Sequence, residues 1–233
     1  MNKIYNLIGS NSFIATYLYE YLKKKNYKIN KFTHSNKHME TDFNNMSSLN
    51  NIDIYFSIVR DDLKDSIDHL SKYIDISNKK NSKFFYISSI NAKFPNASYY
   101  SKIKYECEQI VLKKGGKIIR LGLVISDQPY GPYKSLKKFA NLPISLKFSN
   151  STKITTTNIL DFNNIDFENI NENMIEIFDK EYSLNTFLSM NRVKKNKLNI
   201  NLSLIVKLLK FINKVFFLKG IFERVLTLTC NED

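Results

Sequence analysis

Between residues 3 and 125, short apolar runs alternate with helix-length stretches, and this alternation restricts the chain more than any other feature: it calls for a parallel sheet covered by helices on both faces. The runs at 3–9, 27–33, 53–59, 84–88 and 117–125 have strand length and are rich in Ile, Tyr, Phe and Val. Stretches at 13–25, 61–78 and 99–113 carry apolar residues at helical spacing. The first helix ends in Lys23, Lys24 and Lys25, cations that complement the carbonyl end of a helix. The expected architecture is α/β, a doubly wound parallel sheet. Its first strand closes on Gly9 and passes directly into a helix, a geometry in which backbone N–H groups and the positive helix end face a phosphate.

Beyond Asp127 the alternation weakens, and Pro129, Gly131, Pro132 and Pro143 mark loops. We therefore expect residues 1–132 to form the sheet domain and 133–233 a small C-terminal lobe. Within that lobe, 204–218 has apolar residues at 205, 208, 209, 212 and 216 opposite Lys207, Lys210 and Lys214. This is a basic amphipathic helix that either packs its apolar side inward or rests on a membrane surface. No run reaches the roughly 18 apolar residues of a membrane span, and the N-terminus enters a strand pattern without a signal sequence. Cys107 and Cys230 are too few for a disulfide framework or a metal site. A cytoplasmic protein with no bound metal is the expectation.

The formal net charge is +13, yet of 35 basic residues only four are Arg, while Asn is abundant and Trp absent. Phosphate and base recognition recruits the forked guanidinium. The excess therefore reads as solvated lysine with an attraction for anionic metabolites, and no nucleic-acid partner is expected. Steeply salt-dependent binding to DNA or anionic vesicles would favour the opposite reading.

Tyr100 and Lys104 stand four apart in a predicted helix and so share a face. A lysine ammonium a few ångströms from a phenol favours the phenolate, which suits a tyrosine to move a proton near neutral pH. Tyr99 and Lys102 offer competing pairings.

The turn Gly9-Ser-Asn-Ser-Phe-Ile-Ala15 resembles the Gly-x-x-Gly-Phe-Ile-Gly fingerprint of the extended short-chain dehydrogenase/reductases, the nucleotide-sugar epimerase and dehydratase group. Asp42-Phe43 resembles that family's adenine-binding pair, the strand ending in Ser88-Ser89 resembles the one that supplies its catalytic Ser or Thr, and Tyr100, Lys104 and Glu108 match Tyr-x-x-x-Lys-x-x-x-Glu without a gap. Ile119-Arg-Leu-Gly-Leu-Val-Ile125 followed by Tyr130-Gly-Pro132 looks like the strand and Gly-Pro turn that lead into its substrate lobe. The resemblance spans residues 3–132 with the motifs in order. It implies a Rossmann-like domain holding NADP or NAD through Gly9, Ser12, Phe13, Ile14, His34, Asp42, Phe43 and Lys104, a catalytic trio of Ser89, Tyr100 and Lys104, and a nucleotide-sugar substrate. Ser12 and Ala15 replace two glycines. Ala15 adds one methyl group, whereas Ser12 either donates a hydroxyl bond to the phosphates or obstructs them.

After the second strand, Thr33-His-Ser-Asn-Lys37 offers no carboxylate for ribose hydroxyls, and His34 with Lys37 suits a 2′-phosphate, favouring NADP. Ser89 is followed by Ile90-Asn91 where dehydratases of the family have an Asp-Glu pair. Hydride chemistry without elimination is then expected: a reductase or epimerase, with surface polysaccharide synthesis as the implied setting. A homodimer is compatible with the resemblance. Ser12, the short lobe and Arg60, where the family has a small residue, leave open a dinucleotide-binding sensor without turnover.

Overall fold

The computed structural model describes residues 3–33, 39–45, 51–56, 63–142, 144–148, 152–193 and 198–201. In chain order the elements begin with β1 (Ile4–Ile8), α1 (Phe13–Lys24), β2 (Lys28–Phe32), α2 (Met39–Asn44), β3 (Ile52–Phe56), α3 (Leu63–Lys79), β4 (Lys83–Ser89), α4 (Tyr99–Lys113) and β5 (Lys117–Leu121). They continue with β6 (Leu123–Ile125), α5 (Gly131–Ala140), β7 (Ile144–Lys147), β8 (Lys153–Asn158), α6 (Ile159–Asn163), β9 (Met174–Ile177), β10 (Lys180–Ser183), α7 (Leu184–Met190) and β11 (Leu198–Asn201). A 3-10 turn, Ile90–Lys93, joins β4 to the approach to α4.

Two compact units result, one of Met1–Leu121 with Asn158–Ile177 and one of Gly122–Thr157 with Phe178–Asp233. The first holds a six-stranded sheet in the order β2-β1-β3-β4-β5-β9, parallel throughout. Parallel strands are covered twice, and β3 is buried along its whole length. On one face Tyr55, Phe84, Tyr86 and Ile118 pack with Phe43, Tyr73, Ile103 and Val111 from α2, α3 and α4. On the other, Tyr5, Phe56 and Phe85 meet Phe162 and Phe167 at ring-centroid distances of 5.3 to 6.5 Å.

Helix ends follow local chemistry. Ser12 and Ser98 cap α1 and α4 by accepting from the N–H groups of Ala15 and Ser101. Asn26, Asn81 and Gly115 take positive φ directly after α1, α3 and α4, and at each the next N–H reaches back five residues, as in Tyr27 to Leu22. Asn thus fills twice a left-handed position that usually goes to Gly.

The second unit contains the β10-β8-β6 sheet and the β11-β7 pair. Its core is Leu123, Leu136, Ile154, Leu184, Phe187 and Leu188. The Asn141 amide donates to the carbonyls of Lys137 and Asn191, joining the ends of α5 and α7.

The α/β doubly wound expectation holds, with three differences. The boundary at 132/133 is replaced by a chain that leaves the sheet unit after Leu121 and returns at Asn158, because β9 must pair with β5. The expected strand 117–125 is two strands, broken at Gly122, where a Cβ would lie 2.5 Å from the Thr155 carbonyl oxygen. A short helix outside the expected series, α2, covers Met39–Asn44. The 204–218 amphipathic segment lies outside the described residues. Among those residues, no helix is long and apolar enough to cross a membrane.

Candidate active site

Strand order reverses beside β1: β2 lies to one side of it, while β3 and every later strand of the sheet lie to the other. Carboxyl ends diverge at such a point and leave a crevice for a ligand. Gly9 follows β1 there with φ of 83°, a conformation that glycine adopts without strain. The N–H groups of Gly9 and Ser10 both donate to the Phe32 carbonyl, at 2.8 and 3.0 Å, fastening the turn to the end of β2.

The Ser12 hydroxyl settles in the cap, accepting from Ala15 N at 3.2 Å. Its own O–H proton is left to donate outward. Phe13 and Ile14 are half-buried at the start of α1. Asp42 is exposed on α2. The Phe43 ring is 1% exposed, between Phe32 and Tyr73, which places it in the core and leaves its backbone to meet a ligand. The buried Lys80 ammonium donates to the Phe43 carbonyl. His34 and Arg60 lie outside the described residues.

Ser89 ends β4, and its hydroxyl accepts from Asn91 N at 3.3 Å to start the 3-10 turn. Tyr100 occupies the first turn of α4, half-buried, whereas Tyr99 is 54% exposed and Lys102 is exposed. Lys104 is only 5% exposed. Its Nζ lies 5.7 Å from the Tyr100 ring centroid and 5.2 Å from that of Tyr86, and it donates to the Ile87 carbonyl at 3.3 Å. The fold thereby separates the competing pairings by burial: Tyr100 with Lys104 faces inward.

A polar ligand has partners waiting at this edge. An ammonium carries three donors, and Lys104 spends one on Ile87 among the described residues. The hydroxyls of Ser10 and Ser88, buried at the ends of β1 and β4, find no hydrogen-bond partner there either. Buried polar atoms are ordinarily satisfied, so these three groups fit a polar molecule in the crevice. Sequence reading passed over Ser10 and Ser88 because nothing in their neighbourhood announces burial.

It also passed over the ion pairs behind the site. Glu108, one turn beyond Lys104 and fully buried, receives Arg120 side-on, Nε to Oε1 at 2.9 Å and Nη2 to Oε2 at 2.6 Å. Arg120 Nη1 reaches Glu176 Oε1 at 3.1 Å, and Glu176 Oε2 accepts from Lys93 at 2.7 Å. The hydrogen bonds it donates to Glu108 hold the Arg120 guanidinium above its ordinary range. Burial pushes the Glu176 carboxyl up, but the bonds from Lys93 and Arg120 outweigh it and leave the group below its usual value. Among the described residues no three His, Cys, Asp or Glu side chains are gathered to hold a metal.

No family model and no curated protein matches the chain. Solved structures do. A dTDP-4-dehydrorhamnose reductase from Clostridium acetobutylicum is similar at 15% identity and TM-score 0.64, over 81% of this chain and 79% of that one. The same enzyme from Bacillus anthracis, in complex with NADP, is similar at 14% and 0.65, over 86% and 85%. A UDP-N-acetylglucosamine 4-epimerase from Bacillus cereus is similar at 15% and 0.63, over 99% and 98%. The chain thus shares the Rossmann-like α/β fold of these solved structures.

Proposed function

We propose that the chain is an NAD(P)-dependent reductase or epimerase acting on a nucleotide-activated sugar, in the service of surface polysaccharide synthesis. The observation that carries this reading is the Lys104 ammonium, buried at the carboxyl edge of the sheet with donors unspent among the described residues and the Tyr100 ring 5.7 Å away. Solved structures of the same fold include sugar-nucleotide reductases and an epimerase, which supports the substrate class.

Gly9, Ser10, Ser12, Phe13 and Ile14 surround the phosphate position, where first-turn N–H groups of α1 have no intrahelical acceptor. Asp42 serves the adenine edge, and His34 with Lys37 the 2′-phosphate, so NADP is preferred over NAD. When bound, the dinucleotide supplies or accepts the hydride. Lys104 holds the adjoining ribose. Tyr100 gives a proton to the sugar oxygen during reduction, or takes it during oxidation, while Ser89 donates a hydrogen bond to the same oxygen and keeps it in line. No carboxylate follows Ser89, since the next two residues are Ile90 and Asn91, so the site has no pair there to expel water.

Fluorescence titration with NADPH and NADH, followed by turnover assays on dTDP- and UDP-linked keto sugars, tests the reading. Wild type should bind NADPH more tightly than NADH. Tyr100→Phe should retain binding and lose turnover by a factor of about 100 or more, and Lys104→Met should weaken both. A protein that binds neither dinucleotide refutes the proposal; one that binds but never turns over is a sensor.

A further inference from the structure

The trio depends on two separate pieces of chain: Ser89 closes β4 and opens the 3-10 turn, whereas Tyr100 and Lys104 ride on α4. Four charged side chains join these pieces from behind. Lys93, the last residue of the turn that Ser89 opens, is held by Glu176. The other oxygen of Glu176 takes Arg120, and Arg120 grips Glu108 on the helix face that carries Tyr100 and Lys104. The path leaves the Ser89 turn, crosses β9 and β5, and re-enters α4 through contacts of 2.6 to 3.1 Å.

We propose that Glu176 is a positioning residue of the site: by bridging Lys93 and Arg120 it fixes the Ser89 turn against the helix that presents Tyr100 and Lys104. It touches neither substrate nor cofactor. The proposal rests on the reading of Ser89, Tyr100 and Lys104 as the catalytic trio. Its chemistry is specific, because one carboxylate has two oxygens and each is committed to a different cation. Glutamine in its place offers a single acceptor oxygen, so one of the two bonds must go. Misplacing a reacting group by about 1 Å is enough to lose roughly 100-fold in rate.

Amide hydrogen exchange on the intact chain without ligand, over residues 88–98 and 99–108, tests the link itself. Glu176→Gln should speed exchange in both segments, Lys93→Met in the first alone, and the control Lys114→Met, which breaks the exposed pair with Asp75 on the far end of the same helix, in neither. In turnover assays Glu176→Gln should lower kcat about tenfold or more while the NADPH dissociation constant stays within about twofold, because the phosphate turn is untouched, and Lys93→Arg should restore what Lys93→Met loses. Exchange in both segments equal to wild type, or altered exchange with kcat unchanged, overturns the assignment. Failure of the underlying functional reading shows differently, as a wild-type protein that binds no dinucleotide.

Discussion

Replacing Arg120 by Met should cost more than any other change at this edge. Glu108 is 0% exposed and both its oxygens are occupied by Arg120. Met fills much of the stem volume but leaves a buried carboxyl without its cation, a situation that costs about 3 to 5 kcal/mol. Urea unfolding followed by circular dichroism, with the wild type alongside, reads the loss directly. The variant should lie about 3 to 5 kcal/mol below wild type. A loss under about 1 kcal/mol, as exposed pairs give, would refute the view that the pair is sealed from water.

Two further outcomes concern the rest of the fold. Asp53 is fully buried in β3, accepts from Asn6 at 2.6 Å, and has its carboxyl pushed up by burial against the bond from Asn6. A raised value in the folded state means that this group's contribution is complete below the unfolded value, near 3.9, and is lost as pH rises through the folded one. Asp53→Asn should therefore raise the thermal midpoint at pH 7 and leave it unchanged near pH 3.5; a lower midpoint at pH 7 would contradict this. Gly122→Ala must displace the Thr155 backbone, 2.5 Å from the new methyl. It should destabilise the second unit by about 1 to 3 kcal/mol, seen as faster proteolysis within 122–157 while NADPH binding persists.

The sheet was legible because period and punctuation agree from residue 3 to 121: apolar strand runs, helix spacing, and Ser12, Ser98 and Asn26 at helix ends. The Tyr100–Lys104 pair was legible as a spacing, and burial then favoured it over Tyr99 and Lys102. What escaped depends on tertiary contact. β9 has four residues, all half-buried, and its place beside β5 comes from pairing across more than fifty residues. Phe43 has the composition of a ligand contact and the environment of a core residue, since Phe32, Tyr73 and Lys80 close around it. Gly122 looked like one residue within a long strand, because the neighbour that requires a glycine, Thr155, approaches from a different stretch of chain. Glu176 bears no motif at all; its meaning lies in two cations that arrive from residues 93 and 120.

The return of the chain at Asn158 has a consequence for how the protein is born. When a ribosome has completed residue 157, every side chain assigned to the chemistry has been made, yet the border strand of the sheet does not exist and Arg120 has only one of its two carboxylates. The nascent crevice must wait for the synthesis of 174–177 before its geometry is set, so truncations ending before that strand should retain the catalytic groups in composition and lose them in alignment.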